Sequence, residues 1–123
     1  PLAKKEAIGP KDLWDKPLIL SRQHRAGSAL SMWLKREEAD LNIVATYSLL
    51  YNGSILVDEG LGYAITLDKI INTQGGNLCF RPLIPTLQAG LCVVWKKYQV
   101  LTKASELFLN TLQSNLETAE SEA

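Results

Sequence analysis

Short apolar runs alternate with polar loops along the chain, and five of these runs predict β-strands. They span residues 17–21, 42–46, 63–66, 78–85 and 91–95. The run Leu91-Cys92-Val93-Val94-Trp95 is unbroken, which predicts a strand buried on both faces. Pro82 cannot donate a ladder hydrogen bond, so its run is predicted to be an edge strand or a bridging segment.

Apolar positions at helical spacing predict three helices, over residues 28–38, 49–59 and 103–114. Ser28, Ser48 and Thr102 are candidate N-caps, because a side-chain oxygen there satisfies a free backbone N–H. Residues 10–14 predict one shorter helical turn, with proline at its first position. Residues 117–123 are small and acidic, and we expect them to fray. The faces predicted to pack inward are Ala29, Leu30, Trp33 and Leu34 in the first helix and Ala104, Leu107, Phe108, Thr111 and Leu112 in the last.

A tight glycine corner, within residues 57–66, joins the second helix to the third strand. Gly60 can take the left-handed conformation that ends a helix, and Gly62 lets the next backbone approach closely. Gly53, inside the helix, predicts close packing against a neighbour. A helix-to-strand connection this short is typical of α/β proteins.

The order of the predicted elements is β-α-β-α-β, followed by two strands and a helix. This order predicts an α/β fold with a three-layer mixed sheet and helices on both faces. Such folds bind ligands at the carboxyl ends of their strands. The loops that follow the strands are therefore the first candidates for a functional site.

The composition is typical of one small globular domain. The chain has 123 residues, of which 46% are hydrophobic and 21% charged, enough to bury a core. The 13 basic and 13 acidic residues cancel, which leaves no electrostatic footprint for nucleic acid. No apolar run approaches the roughly 20 residues that span a bilayer, and we expect no membrane partner. The N-terminus has no signal-peptide pattern, and its start at Pro1 rather than methionine suggests an excised chain.

The residues that carry chemistry predict no metal, no cofactor and no catalytic site. Cys79 and Cys92 lie in apolar runs, so we expect buried free thiols in a reducing cytoplasm. His24 is the only histidine, and a zinc site would need carboxylates from elsewhere. Gly60 and Gly62 lack the third glycine of a dinucleotide fingerprint and follow a helix rather than a strand. We therefore do not expect an enzyme.

Three motifs, in this order and spacing, resemble the C-terminal part of a LysR-type transcriptional regulator. Pro1-Leu2-Ala3, then Ile8 and Asp12-Leu13, resembles the family's "HPLA…i…dL" segment. Residues 57–65 are similar to its "V-x-x-G-x-G-[IV]-[AT]-x" signature, although Leu67 stands where proline is common. Residues 80–83, 90–97 and 105–109 resemble its closing strand, strand and helix.

The resemblance implies a fold like one subdomain of a type 2 periplasmic binding protein. In this family a winged helix-turn-helix binds DNA, and two α/β subdomains joined by crossover strands hold an effector between them. The match assigns residues 18–95 to subdomain two. Residues 1–17 and 96–116 would return to subdomain one, whose first half is absent from this chain.

The residues expected to bind an effector lie in the loops after the strands. They are Ser21, Arg22, Gln23, His24, Ser28, Tyr47, Ser48 and Thr66. Arginine, hydroxyl groups and a helix N-terminus favour an anionic metabolite such as a carboxylate. The alternative is structural: Ser28 only caps a helix, Tyr47 is an ordinary half-buried aromatic and the loops are solvated.

Three functions remain open at this point. The first is effector sensing in a cytoplasmic regulator that binds DNA only through a domain absent from this chain. The second is a solute-binding module of a transport system. The third is a fragment that associates but binds nothing because its cleft is incomplete. Because the resemblance implies that part of subdomain one is missing, the inner face of the last helix at Leu107, Phe108 and Leu112 is expected to lack its normal cover. Apolar surface left uncovered in this way predicts a dimer or a larger oligomer.

Overall fold

Three parallel strands form the sheet in the computed structural model, which describes residues 1–24 and 27–122. The central strand β1 (Leu18–Ser21) lies between β2 (Ile43–Tyr47) and β3 (Tyr63–Ala64), and both pairings are parallel. The predicted α/β class is confirmed, but the described sheet is parallel rather than mixed because neither of the two later runs joins it. Residues 25, 26 and 123, which belong to the predicted polar loop and tail, lie outside the described part.

The core is built around the central strand. Leu18 and Ile19 have no exposed surface and Leu20 is only 1% exposed. A central strand of a parallel sheet is covered on both faces, which accounts for three consecutive apolar residues. Other buried side chains of this cluster come from the N-terminal segment and the first helix, namely Leu2, Ile8, Leu13 and Leu34.

The first helix, α1 (Ala29–Leu34), is shorter than predicted. Ser28 is its N-cap, as predicted, and its Oγ accepts the Ser31 backbone N–H at 3.4 Å. The helix ends before residue 38 because Lys35 has a left-handed backbone with φ of 54°. A 3₁₀-helix, Glu38–Asp40, follows. Leu34 is buried and Leu30 and Trp33 pack against the core, whereas Ala29 is exposed.

The second helix, α2 (Leu50–Asp58), lies within the predicted range. Ser48 is not its N-cap: Leu49 occupies that position, and no side chain there accepts a hydrogen bond. Two 3₁₀-helices precede the sheet, Leu2–Lys4 and Pro10–Asp12, and the second is the predicted short turn.

The glycine corner has the predicted geometry. Gly60 has a left-handed φ of 81°, which ends the helix. A Cβ on Gly62 would lie 2.5 Å from the carbonyl oxygen of Pro17, and one on Gly53 would lie 2.9 Å from Cδ1 of Tyr47. Each distance is shorter than any ordinary contact, so both close approaches require glycine.

The run at residues 78–85 forms a bridging contact rather than a strand. Ile8 and Leu83 make an isolated parallel bridge. The Ile8 N–H donates to the Pro82 carbonyl and the Ile84 N–H donates to the Ile8 carbonyl, both at 2.9 Å. This segment therefore ties the N-terminal residues to the later part of the chain.

The predicted strand Leu91–Trp95 is wrong. Residues 90–123 cluster as a unit separate from residues 1–89, and within that unit Leu91 is 88% exposed and Val94 83% exposed. A strand is held by ladder hydrogen bonds to a neighbour, and no described strand pairs with this segment. Its apolar composition alone could not supply that partner.

The final helix, α3 (Lys103–Glu122), is longer than the predicted 103–114 and includes most of the segment expected to fray. No glycine or proline follows residue 103, so nothing local ends the helix. The predicted inner face is not buried: Leu107 is 68% exposed and Phe108 67% exposed.

Both cysteines and the third tryptophan lie at the surface. Cys79 and Cys92 are free but exposed, so the prediction of buried thiols is wrong. Trp95 is 52% exposed, whereas Trp14 and Trp33 are half-buried. Cys92 and Trp95 are exposed because segment 91–95 has no strand partner among the described residues. Among the described residues, no helix is both long and apolar enough to cross a membrane.

Candidate functional site

The carboxyl ends of β1 and β2 bring several of the predicted residues together. Ser21 and Tyr47 are register partners at the ends of these strands. The Arg22 N–H donates to the Tyr47 carbonyl at 2.8 Å, which extends the pairing by one step beyond the sheet. We call this region the carboxyl edge and define it by Ser21, Arg22, Gln23, His24, Ser28 and Tyr47.

Tyr47 links the end of β2 to the residues that follow β3. Its hydroxyl donates to the Ile65 carbonyl at 2.9 Å, across the width of the sheet. Its ring lies against Gly53 of α2, at a position where any larger residue would displace it. The side chain is therefore fixed at one end by a hydrogen bond and at its ring by the helix. This fits the structural interpretation of Tyr47, and it also makes the tyrosine a rigid part of the edge.

His24 lies between two serine hydroxyls rather than free on the surface. Its Nδ1 is 3.2 Å from Ser28 Oγ and its Nε2 is 3.3 Å from Ser31 Oγ. Its backbone N–H donates to the Ser21 carbonyl at 2.9 Å, which closes the turn after β1. The imidazole tautomer decides which nitrogen donates, so the group can present a donor or an acceptor.

The same turn fixes Gln23. The Gln23 N–H donates to Ser21 Oγ at 3.2 Å, a local side-chain bond typical of serine in turns. The side chains of Arg22 and Gln23 are exposed, and the Arg22 guanidinium makes no hydrogen bond or ion pair with any described residue. Arg22 is thus the one arginine or lysine among the residues that define the carboxyl edge, and its backbone is held by the hydrogen bond to Tyr47.

Among the described residues, no hydrogen bond links the side chain of Ser48 or Thr66 to this group, although Ser48 directly follows Tyr47 in the chain. Ser48 is exposed and makes no cap. Thr66 is half-buried and follows Ile65, the residue whose carbonyl accepts the Tyr47 hydroxyl. It lines a cavity of about 540 Å³ that none of the other seven predicted residues reaches. The structure therefore brings together six of the eight predicted residues and places Thr66 at a neighbouring site.

Sequence reasoning missed Ser31. It lies three residues after the N-cap, and a hydroxyl at this spacing on a helix's first turn faces back toward the cap and its loop. The pattern Ser28-x-x-Ser31, with His24 four residues before the cap, was the available signal.

The chemistry of the carboxyl edge is that of a polar binding site. Hydroxyls, an imidazole and a guanidinium can all donate hydrogen bonds to a ligand oxygen. Within residues 1–24 and 27–122 no group of three or more His, Cys, Asp or Glu side chains could hold a metal ion.

Comparison with known protein families gives one result. Residues 1–117 match the family model described as the LysR substrate binding domain. Searches of curated proteins and of solved structures give no match to this chain.

Proposed function

Because the chain belongs to the LysR substrate-binding domain family, we propose that it senses a small effector for a LysR-type transcriptional regulator. The domain is regulatory and non-enzymatic, so no residue is given a catalytic role. The family implies a periplasmic-binding-protein-like subdomain, of which the parallel three-stranded sheet is the described part.

The proposed effector site is the carboxyl edge together with Ser48 and Thr66. The observation that carries this proposal is the position of Arg22 at the edge where α/β folds bind ligands. It is an exposed cation two residues before His24, whose ring contacts the Ser28 and Ser31 hydroxyls. These groups favour an anionic ligand such as a small carboxylate. Helix α1 is only 6 residues long, so its dipole contributes little and Arg22 supplies most of the attraction.

Signal transmission rests on differential affinity. A ligand that prefers one arrangement of the two subdomains shifts their populations, and a DNA-binding domain outside this chain responds to the shift. We propose that residues 18–95 form subdomain two, that residues 96–116 return to subdomain one, and that the whole regulator acts in the cytoplasm. The resemblance implies that residues 1–17 lie in subdomain one, but they supply Leu2, Ile8 and Leu13 to the core around Leu18, so we place them with subdomain two instead.

Two further expectations belong to this function. The chain should not shift a DNA fragment in a gel, because its charges balance. The exposed apolar residues of α3 and of residues 91–100 support self-association, which light scattering at high concentration should report as a dimer or larger.

Calorimetric titration with small carboxylates, succinate and benzoate among them, tests the effector site. Arg22→Gln should weaken binding by about tenfold or more, because a charge-assisted hydrogen bond contributes roughly 1.5–3 kcal/mol. Lys11→Gln, at an exposed position of the second 3₁₀-helix, is the matched control for loss of one positive charge. Absence of heat with every carboxylate, or equal binding by the two variants, would contradict the site.

A further inference from the structure

The cavity beside Thr66 has an apolar floor. Three core residues, Leu2, Ile8 and Leu13, line it although each is at most 8% exposed. Tyr63, Ile65 and Leu83 add half-buried apolar surface. Its volume of about 540 Å³ falls within the range of roughly 300–1,000 Å³ typical of small-molecule sites. Apolar surface of this kind favours the apolar part of a ligand, because covering it removes it from water.

The charges around the cavity cancel. Asp58 and Asp68 line it with negative charge, and Lys69 and Arg81 with positive charge. The Arg81 guanidinium is already used: it donates to the carbonyls of Lys5 and Ala3 at 2.6 Å and of Phe80 at 2.7 Å. Lys69 is then the cation that such bonds leave available, and it stands against two carboxylates. An anion would therefore gain less here than at the carboxyl edge, whose defining residues include Arg22 and no carboxylate.

Two features mark the cavity as more than a gap in packing. Thr66 presents a hydroxyl that makes no hydrogen bond with any described residue, so one polar partner is available beside the apolar floor. Lys69 has a φ of 63°, a left-handed backbone that residues other than glycine seldom adopt. Strain of this kind is concentrated at binding and switching sites.

We propose that this cavity is a second ligand site, which takes an uncharged, mainly apolar small molecule with one hydrogen-bonding group. The apolar body lies on Leu2, Ile8 and Leu13, and the polar group pairs with the Thr66 hydroxyl. The site shares Thr66 with the proposed effector site but differs from it in its other residues and in the charge of its ligand.

Indole, an uncharged bicycle with a single N–H, is a suitable probe. In a titration of the full chain followed by ¹⁵N–¹H NMR, saturable amide shifts should appear at residues that line the cavity, such as Tyr63, Ile65 and Leu83. Succinate, which probes the carboxyl edge, should instead shift Arg22 and His24. Apart from Thr66 the two sets of residues do not overlap, so failure of the cavity site and failure of the effector site are distinguishable.

A matched pair of variants tests the cavity directly. Ala3→Phe places a ring at an exposed alanine that lines the cavity, and should weaken indole binding by about tenfold or more because the ring takes the space of the ligand. Ala39→Phe makes the same change at an exposed alanine of another 3₁₀-helix, away from the cavity, and should bind like the unsubstituted chain. If Ala3→Phe does not fold, Asn77→Phe, at an exposed position of the cavity rim, replaces it.

The proposal would be overturned by any of three results. Indole could cause no saturable shift, its shifts could be confined to the exposed apolar residues 91–108, or the cavity-filling variant could bind as tightly as its control.

Discussion

Two apolar runs of similar composition have opposite fates in this chain. Leu18-Ile19-Leu20 is buried to 1% exposure or less, whereas Leu91, Val93 and Val94 are 88, 52 and 83% exposed. The first run has a parallel strand on each side, which satisfies its backbone groups and covers its side chains. No described strand pairs with the second. Burial here follows from strand pairing and not from hydrophobicity, because an unpaired strand leaves its N–H and C=O groups in solvent.

Helix α3 shows that a helix, unlike a strand, can form without a distant partner. Helix α3 has an exposed apolar face, yet it runs for 20 residues. Its hydrogen bonds are local, and Thr102 Oγ1 accepts the Ser105 N–H at its start at 3.2 Å. A helix satisfies its backbone within one segment, whereas a strand needs a distant partner. The region after residue 90 thus keeps its predicted helix and does not form its predicted strand.

The largest expected effect compares one leucine from each run. Leu18→Ala should lower the free energy of unfolding by about 2–5 kcal/mol, since it removes a fully buried side chain and leaves a cavity. Leu91→Ala should change it by no more than about 0.5 kcal/mol, because the leucine is 88% exposed. Urea denaturation measures both. A large effect of Leu91→Ala would show that segment 91–95 is buried in solution, and would break the contrast.

Much of the sheet and its helices could be predicted from sequence because their signals are local or periodic. The runs at 17–21 and 42–46, the apolar face of α1 and the glycines at 53, 60 and 62 all carry such signals. What failed depends on partners distant in sequence. The exposed Cys79 and Cys92 are two examples, since apolar neighbours along the chain do not reveal whether a segment will be covered.

The carboxyl edge was predictable in part for the same reason. Parallel strands end at one edge, so the loops after Ser21 and Tyr47 had to meet. The bond from Tyr47 to Ile65 and the role of Ser31 beside His24 depend on side-chain geometry, which spacing alone does not fix. Ser48 was predicted as a cap because of its residue type, but the helix begins one residue later.

The next prediction sharpens the contrast through the glycines. Gly62→Ala should cost about 1–3 kcal/mol, because its Cβ would lie 2.5 Å from the Pro17 carbonyl oxygen and the backbone must shift. Gly90→Ala is the control: nothing lies within 4 Å of its Cβ, and the change should stay within about 0.5 kcal/mol. Thermal or urea unfolding distinguishes them. If both variants lowered the free energy of unfolding by the same amount, the backbone around Gly62 would have to accommodate a Cβ without strain.

A smaller effect is expected at the tryptophans. The Trp14 Nε1–H donates to the Leu34 carbonyl at 2.8 Å, and the Arg36 guanidinium stacks on the Trp14 ring at 4.3 Å from its centroid. Trp14→Phe keeps an aromatic ring but removes the donor, so the free energy of unfolding should fall by about 1 kcal/mol. Trp95→Phe, at a 52% exposed position, should be close to neutral by the same urea measurement. If Trp95→Phe lowered the free energy of unfolding more than Trp14→Phe, the tryptophan after residue 90 would be the more tightly packed of the two, which contradicts the contrast.

The smallest effect concerns the polar contacts of the N-terminal segment, within residues 1–89. Two hydrogen bonds to the Asp12 carboxylate lower its pKa below the ordinary value of 3.8. The larger effect comes from Lys5 Nζ, at 2.6 Å, and the smaller from the Gly9 N–H, at 3.0 Å. The pKa of Asp12 is lower in the folded chain than in the unfolded chain. The contacts therefore stabilise the fold fully at pH values above the pKa of the unfolded chain, and this stabilisation is lost as the pH falls through the pKa of the folded chain. The Gly9 amide shift, followed by NMR from pH 6 downward, should therefore report a midpoint below 3.8, and Lys5→Gln should move that midpoint upward. A midpoint at or above 3.8, or one that does not change in Lys5→Gln, would mean that the contact between Lys5 and Asp12 does not persist in solution. The N-terminal segment would then be held only by its apolar core and its backbone pairing.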